Sequence, residues 1–585
     1  MAASSDQQPI IYDVTSSRFS PSRRRLLASA AIFTSVFFER IAYFSLITNM
    51  IPFLTSAPLC WSTKEATFTE ILFLAFAYSS GLFGGWLSDS YLGPIKTILT
   101  GYFVYFLGYI FLPFLTYFYP KQDSALTVSC QSWNNSDSPP FCSSSVDDQL
   151  TCGLTLYISI ILIAISSGVV RTNMAAFGGD QAQSGGSIFT QRFFTAYYWC
   201  KNFASLFSLI GIAIIQQKSF LIGYSVASSC LLISFIAFLI GWKLYTRVTA
   251  GEKSVIMFVF SMMKNAYEVK NSDCRLRTTV YNFLDHANKE HEGGKFNIHE
   301  INDVRKLGRI CKVFLLLIPY QICYSQMFSS GFLLQGLHMR TAFDTPSVCN
   351  SEHVNKSSSM WCGPYAGEIV PFVSQDKTAT TIPAASLCVC NSIFILVTLP
   401  FMEKFYQCFA YRHRRVTVCY RLTIGMLLAA AALITGGVVE TFRLDDLAWH
   451  QESWHQIGST LFSIAPCFPI YWQIPQYCLL GASEVFLMLT GLEYAYMEAP
   501  RNMQSFVMGL FWLCVGSGYF IGATFPYFLW HSGNRAYTTI GLEIVLETEL
   551  TQTSQLTSSF PPTPQAQRRN ISNNENLLSD DDISS

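Results

Sequence analysis

The chain has 585 residues, 50% hydrophobic, 15% aromatic and only 13% charged, with 38 basic residues balancing 38 acidic ones. Soluble domains carry about 25% charged residues, so this is the composition of a membrane protein. The neutral balance offers a nucleic acid nothing to hold, and no GxxxxGK[ST], HExxH or paired CxxC spacing supports an ATPase, a zinc protease or a zinc finger.

Residues 1–25 are a polar tail ending in Arg23-Arg24-Arg25, read as a cytoplasmic anchor. The tail and the length of the first apolar run are wrong for a cleavable signal peptide. That run extends from Leu26 to Thr55, longer than the roughly 20 residues a helix needs to cross a bilayer. Its middle reads Phe37-Phe38-Glu39-Arg40-Ile41-Ala42-Tyr43-Phe44. Each charge at that depth costs about 2.5–3.5 kcal/mol on insertion scales, so Glu39 and Arg40 are expected to face a protein interior or a wet pathway. An ion pair that merely holds helices together is the plainer alternative.

Further apolar runs fall at 67–88, 94–119, 153–177, 193–216 and 219–242. A polar stretch, 243–308, follows, and runs resume at 310–337, 379–402, 416–439, 466–497 and 503–530. The predicted fold class is all-α and polytopic. It comprises a six-helix bundle over 26–242, a cytoplasmic loop with amphipathic helices over 243–308, and a second bundle over 309–530. Residues 531–585 are rich in Ser, Pro and Asn at their end and read as a disordered tail.

Orientation follows from loop charge. Arg23 to Arg25, Lys96, the 243–308 loop and Arg412-His413-Arg414-Arg415 all fall on one side if the N-terminus is inside. The opposite loops carry glycosylation sequons at Asn134 and Asn355. They also carry Cys130, Cys142, Cys152, Cys349 and Cys362, which suit an oxidising compartment. His291, between Glu290 and Glu292, is read as a solvated helix end rather than a metal ligand, and no metal is expected.

Later runs also hold polar residues at depth: Arg171 and Asn173, Lys201 and Asn202, Gln321 and Gln326, Asn391, and Glu484. With Glu39 and Arg40 these make three bases and two acids, each too costly to face lipid. The simplest arrangement points them at one cavity with a positive surplus, suited to an anionic group such as a carboxylate.

The loop Gly85-Trp86-Leu87-Ser88-Asp89-Ser90-Tyr91-Leu92-Gly93 resembles the signature loop of the major facilitator superfamily. That resemblance implies two helix bundles rocking about a central site. Four stretches are similar to motifs of the proton-coupled oligopeptide transporters of solute carrier family 15. They are Glu39 to Phe44, Arg171 to Gln181, Phe194 to Ser205, and Ile474 to Tyr496 with Glu484 inside it.

The resemblance implies a transporter of small peptide- or amino-acid-like solutes, with protons as coupling ion, no other cofactor and no enzymatic activity. In it Arg40 and Arg171 would hold a carboxylate, with Tyr43, Tyr78 and Lys201 in the pocket. Asn202, Asn391 and Glu484 would receive the amino end, and Glu39 with Glu484 would couple protons. Gly85, Asp89 and Gly93 would serve gating. The implied partners are the substrate and the bilayer of a plasma or endolysosomal membrane.

The chain departs from the family pattern at Val36, Phe44, Ile71, Pro94, Arg171, Thr172, Lys201, Gln321 and Ser325. Several of these changes remove a titratable group or add positive charge. They set up the alternative of a non-transporting sensor or adaptor of the same fold. The family norm is twelve spans, and eleven are evident here.

Overall fold

The computed structural model describes residues 21–55, 59, 61, 63–118, 146–246, 254–272, 283–289, 293–329, 331–341, 360–362, 369–371, 387–411, 417–449, 453–457 and 460–531. Among them, 11 helices are long and apolar enough to cross a membrane. Spans one to six are Ser22–Thr48, Glu65–Leu92, Pro94–Phe118, Gly153–Gln183, Ser187–Gln216 and Phe220–Lys243. Spans seven to eleven are Ile298–Met327, Cys388–Phe405, Val418–Leu447, Ile470–Glu498 and Arg501–Gly522. In hydrocarbon, backbone groups find no water, so apolar segments of this length close their hydrogen bonds internally as helices.

Spans one to six pack on one another: one against five and six, three against four and six, two against four. Span seven packs against eleven, and span ten against eight and nine. The two halves meet chiefly where span two lies along span eleven and span five along span eight. The first of these contacts depends on missing side chains. A Cβ at Gly85 would overlap the Ser505 carbonyl, and one at Gly509 would fall 2.7 Å from the Gly81 oxygen.

Two boundaries differ from the predicted ones and a third falls outside the described residues. Span seven was expected from about 310, but its helix starts at Ile298. Its entry is fixed by the Glu300 carboxylate, which accepts the Asn297 N–H at 2.8 Å. The extension buries Ile301, Val304, Leu307 and Ile310 along one stripe while its other faces stay charged. Ile301 and Val304 form a small separate core with Met262, Ala266 and Ala287, so the loop helix Val255–Ser272 docks here. Second, the expected start of span eight at 379 lies outside the described residues, which resume at 387, and the described helix runs from Cys388.

Third, span ten was expected from 466. Residues Thr460–Pro469 instead form a strand, paired antiparallel with Ser453–Ile457 and in parallel with Met339–Arg340. Cys467 lies in that strand and is disulfide-bonded. The sequons Asn134 and Asn355 lie outside the described residues. So do Cys130, Cys142, Cys349, His291, the side chains of Cys152 and Cys362, and all of 532–585.

Candidate functional site

Midway along span one, the Glu39 carboxylate accepts hydrogen bonds from both Nε and Nη2 of Arg40, and both residues are buried. The Arg40 guanidinium lies 4.6 Å from the centroid of the Tyr43 ring. Arg171 of span four lies 4.5 Å from the centroid of the same ring. Arg171 is also 4.2 Å from the Tyr78 ring and 5.3 Å from Trp512. Tyr78 is itself stacked on Trp512 and Tyr519, at 5.6 and 5.1 Å. Arg171 is thus held in an aromatic cage contributed by both halves, a geometry that favours a cation. Among the described residues none of its three side-chain nitrogens has a hydrogen-bond partner, although all are buried.

A second charged cluster stands on the C-terminal half. Glu484 of span ten is buried and accepts from Tyr324 Oη at 2.6 Å, Lys201 Nζ at 3.3 Å and Asn391 Nδ2 at 3.4 Å. The Tyr198 hydroxyl donates to it as well. Tyr198 and Lys201 are three residues apart in span five, so one helix face delivers both. The Lys201 ammonium also rests 4.6 Å from the Tyr198 ring. Gly481 lets span eight approach: a Cβ there would come within 2.9 Å of the Asn391 backbone oxygen. Immediately after Glu484, Val485–Leu489 form a π-helical turn, a feature frequent at functional sites.

Between the clusters is a hollow of about 30 Å³, room for one or two water molecules. Its lining includes Tyr78, Lys201, Asn202, Asn391, Glu484 and Trp512. Glu39, Arg40, Tyr43 and Arg171 do not line it; Arg171 stands behind the Tyr78 and Trp512 rings, and Arg40 shares the Tyr43 ring with it. The charges are nonetheless close enough to act on one another, since Lys201 lies in the fields of Glu484, Arg40 and Arg171. Asn202 turns its amide back to the Tyr198 carbonyl at 2.9 Å. The Ser205 and Ser392 hydroxyls meet at 3.0 Å and bridge the halves.

Below the hollow, on the predicted cytoplasmic side, acids of the first half grip the second. Asp89 Oδ2 accepts the Phe506 N–H at 2.8 Å, capping the first turn of span eleven. The Tyr496 hydroxyl donates to Asp180 at 2.8 Å. Gly93 has φ 76°, the left-handed backbone that lets span three start directly after the loop. Gly85 and Asp89 therefore lie at a closed contact of the two halves, and Gly93 ends the loop that carries them. At the positions lacking the family's acids, Val36 is part of the apolar core and the Ser325 hydroxyl donates to the Ile322 carbonyl at 2.7 Å.

Sequence reasoning missed Tyr198, Tyr324, Trp512 and Tyr519. Tyr198 was within reach of the argument, because its three-residue spacing from Lys201 puts both on one face. The others carry no signal in a chain with 29 tyrosines and 11 tryptophans.

The POT family model matches residues 95–351 and 368–539 of the chain. Solute carrier family 15 member 3 of Mus musculus is 30% identical over 523 residues, covering 86% of this chain and 83% of its own length. Solute carrier family 15 member 5 of Homo sapiens is 25% identical over 496 residues, covering 83% and 74%. The crystal structure of an auto-inhibited POT family peptide transporter aligns with a TM-score of 0.60 at 18% identity, over 92% of this chain and 98% of that one. A POT family transporter in complex with 5-aminolevulinic acid aligns with a TM-score of 0.58 at 16% identity, over 91% and 96%.

Proposed function

The chain belongs to the POT family, and from that premise we propose that it is a secondary active transporter of small peptide- or amino-acid-like solutes with a carboxylate. It works by alternating access and is coupled to protons. The single observation that carries the substrate's charge is Arg171, a buried guanidinium whose nitrogens have no hydrogen-bond partner. A buried donor left unmade costs about 1–3 kcal/mol, more when charged, so a ligand carboxylate gains by supplying the missing acceptor. Arg40 lies behind the shared Tyr43 ring and is already closed by Glu39. Its role is to add positive field, while Arg171 makes the contact.

Tyr78 forms both the wall of the hollow and the lid over Arg171, so rotation of that ring admits the carboxylate. Asn202 and Asn391 supply neutral polar wall. Glu39 and Glu484 are the acids of the two charged clusters and would couple protons. A proton on Glu484 removes the charge that holds Lys201, and one on Glu39 releases Arg40. The disulfide of Cys467 suits an outer face in an oxidising space, as at a plasma or endolysosomal membrane.

The test is binding and flux of a carboxylate ligand by the purified chain in proteoliposomes. Arg171→Ala is expected to lower affinity at least about tenfold, which corresponds to 1.4 kcal/mol. An unchanged affinity removes the reading. The substitutions Val36 and Ser325, where the family has acids, favour a second reading as a non-transporting sensor. Saturable, Arg171-dependent binding with no flux would establish that one instead.

A further inference from the structure

Glu484 is the carboxylate of the hollow, and the chain occupies it from within. Tyr198, Lys201, Tyr324 and Asn391 all donate to its two oxygens. A carboxylate offers about four lone-pair sites, so these donors leave none open. Glu39 is paired with Arg40 and does not line the hollow. A ligand ammonium entering the hollow therefore finds no free carboxylate. It meets Lys201, a like charge whose side chain lines the space. Among the described residues around the hollow, the charged donors left open are those of Arg171; the other open atoms at the hollow are neutral, the Trp512 indole N–H and the side-chain oxygens of Gln321 and Asn391.

The charge count points the same way. Arg40, Arg171 and Lys201 stand against Glu39 and Glu484, one positive charge in excess, and the two ion pairs leave that excess on Arg171. A zwitterionic ligand leaves the excess in place, whereas an anion cancels it in a region where unpaired charge is costly.

We propose that the site selects anionic solutes lacking a free ammonium group, such as N-acylated amino acids and peptides, with Lys201 acting as a tethered counter-ion that keeps Glu484 from a ligand amine. This rests on the reading that Arg171 takes the ligand carboxylate.

The experiment compares Ala-Ala with N-acetyl-Ala-Ala by calorimetry on the purified full chain, with folding followed by thermal melting. The wild-type chain is expected to bind the acetylated ligand about tenfold more tightly or better, a difference of 1.4 kcal/mol or more. Lys201→Met frees Glu484 and is expected to reverse the order, while Lys201→Arg keeps the wild-type order. Glu484→Gln frees Lys201 instead and is expected to widen the preference for the acetylated ligand, with N-acetylglutamate gaining further. This second variant keeps the proposal testable if Lys201→Met does not fold. Equal affinities in the wild-type chain, or a preference that moves the same way in Lys201→Met and Glu484→Gln, overturns the proposal and leaves the Arg171 reading standing. Binding of both ligands that is indifferent to Arg171→Ala removes the premise, and the proposal falls with it.

Discussion

Glu39 and Arg40 are neighbours in one helix, where adjacent side chains do not face each other. Their bidentate contact forms because the long arginine folds back onto the carboxylate inside the packed core. Removing one partner of a buried pair leaves an uncompensated charge and costs about 3–5 kcal/mol. Glu39→Gln is therefore expected to lower the melting temperature of the purified protein, and the double substitution Glu39→Gln with Arg40→Met to restore much of the loss. A double variant no more stable than Glu39→Gln would show that the pair is not what the core depends on. The charged members of the site were legible in the sequence because each is expensive inside a membrane. Their aromatic partners were not: a tyrosine or tryptophan in a span is ordinary, and only the packed structure shows Trp512 and Tyr78 closing on Arg171.

At the scale of elements, span two and span eleven run side by side through glycines, and an acid of one caps the other. Gly85→Val would place a side chain where the Ser505 carbonyl now sits, so the halves could not close on the inner side. The expected outcome is loss of flux with retained expression and faster labelling of inner-side cysteines. Normal flux would show that this contact is not a required state. Asp89→Ala removes the acceptor of the Phe506 N–H. Loss of a cap costs about 0.5–2 kcal/mol, so the closed inner contact should weaken without being abolished, read as a partial rise in the same labelling. The loop Gly85 to Gly93 was legible from its glycines and acid. The start of span seven was not, because its first three turns are charged on most faces and bury only the stripe of Ile301, Val304 and Leu307. A hydropathy reading averages that stripe away. The end of the strand Thr460–Pro469 was misread for the opposite reason: Cys467 and Phe468 run apolar straight into span ten, and only the pairing of the strand with Met339–Arg340 sets residues 466–469 apart from it.

At the scale of the whole molecule, alternating access requires spans five and eight to part and rejoin around the hollow. Ser205 and Ser392 report on that movement, since their hydroxyls touch at 3.0 Å across the two halves. With cysteines at both positions, oxidation or a short bifunctional thiol reagent should join the halves in this state. Flux in proteoliposomes should then fall to background and return on reduction, while either single cysteine should respond weakly to the same treatment. The arrangement also separates the two functional readings. A carrier that must cycle loses its output when locked, whereas a sensor whose signalling state is the closed one keeps its output. Binding of N-acetyl-Ala-Ala measured before and after locking adds a second comparison. The hollow in this state holds only one or two waters, so the locked protein should exclude a dipeptide-sized ligand. Undiminished binding to the locked chain would mean that the ligand enters without the halves separating, and the rocking of the two bundles would no longer account for access to Arg171.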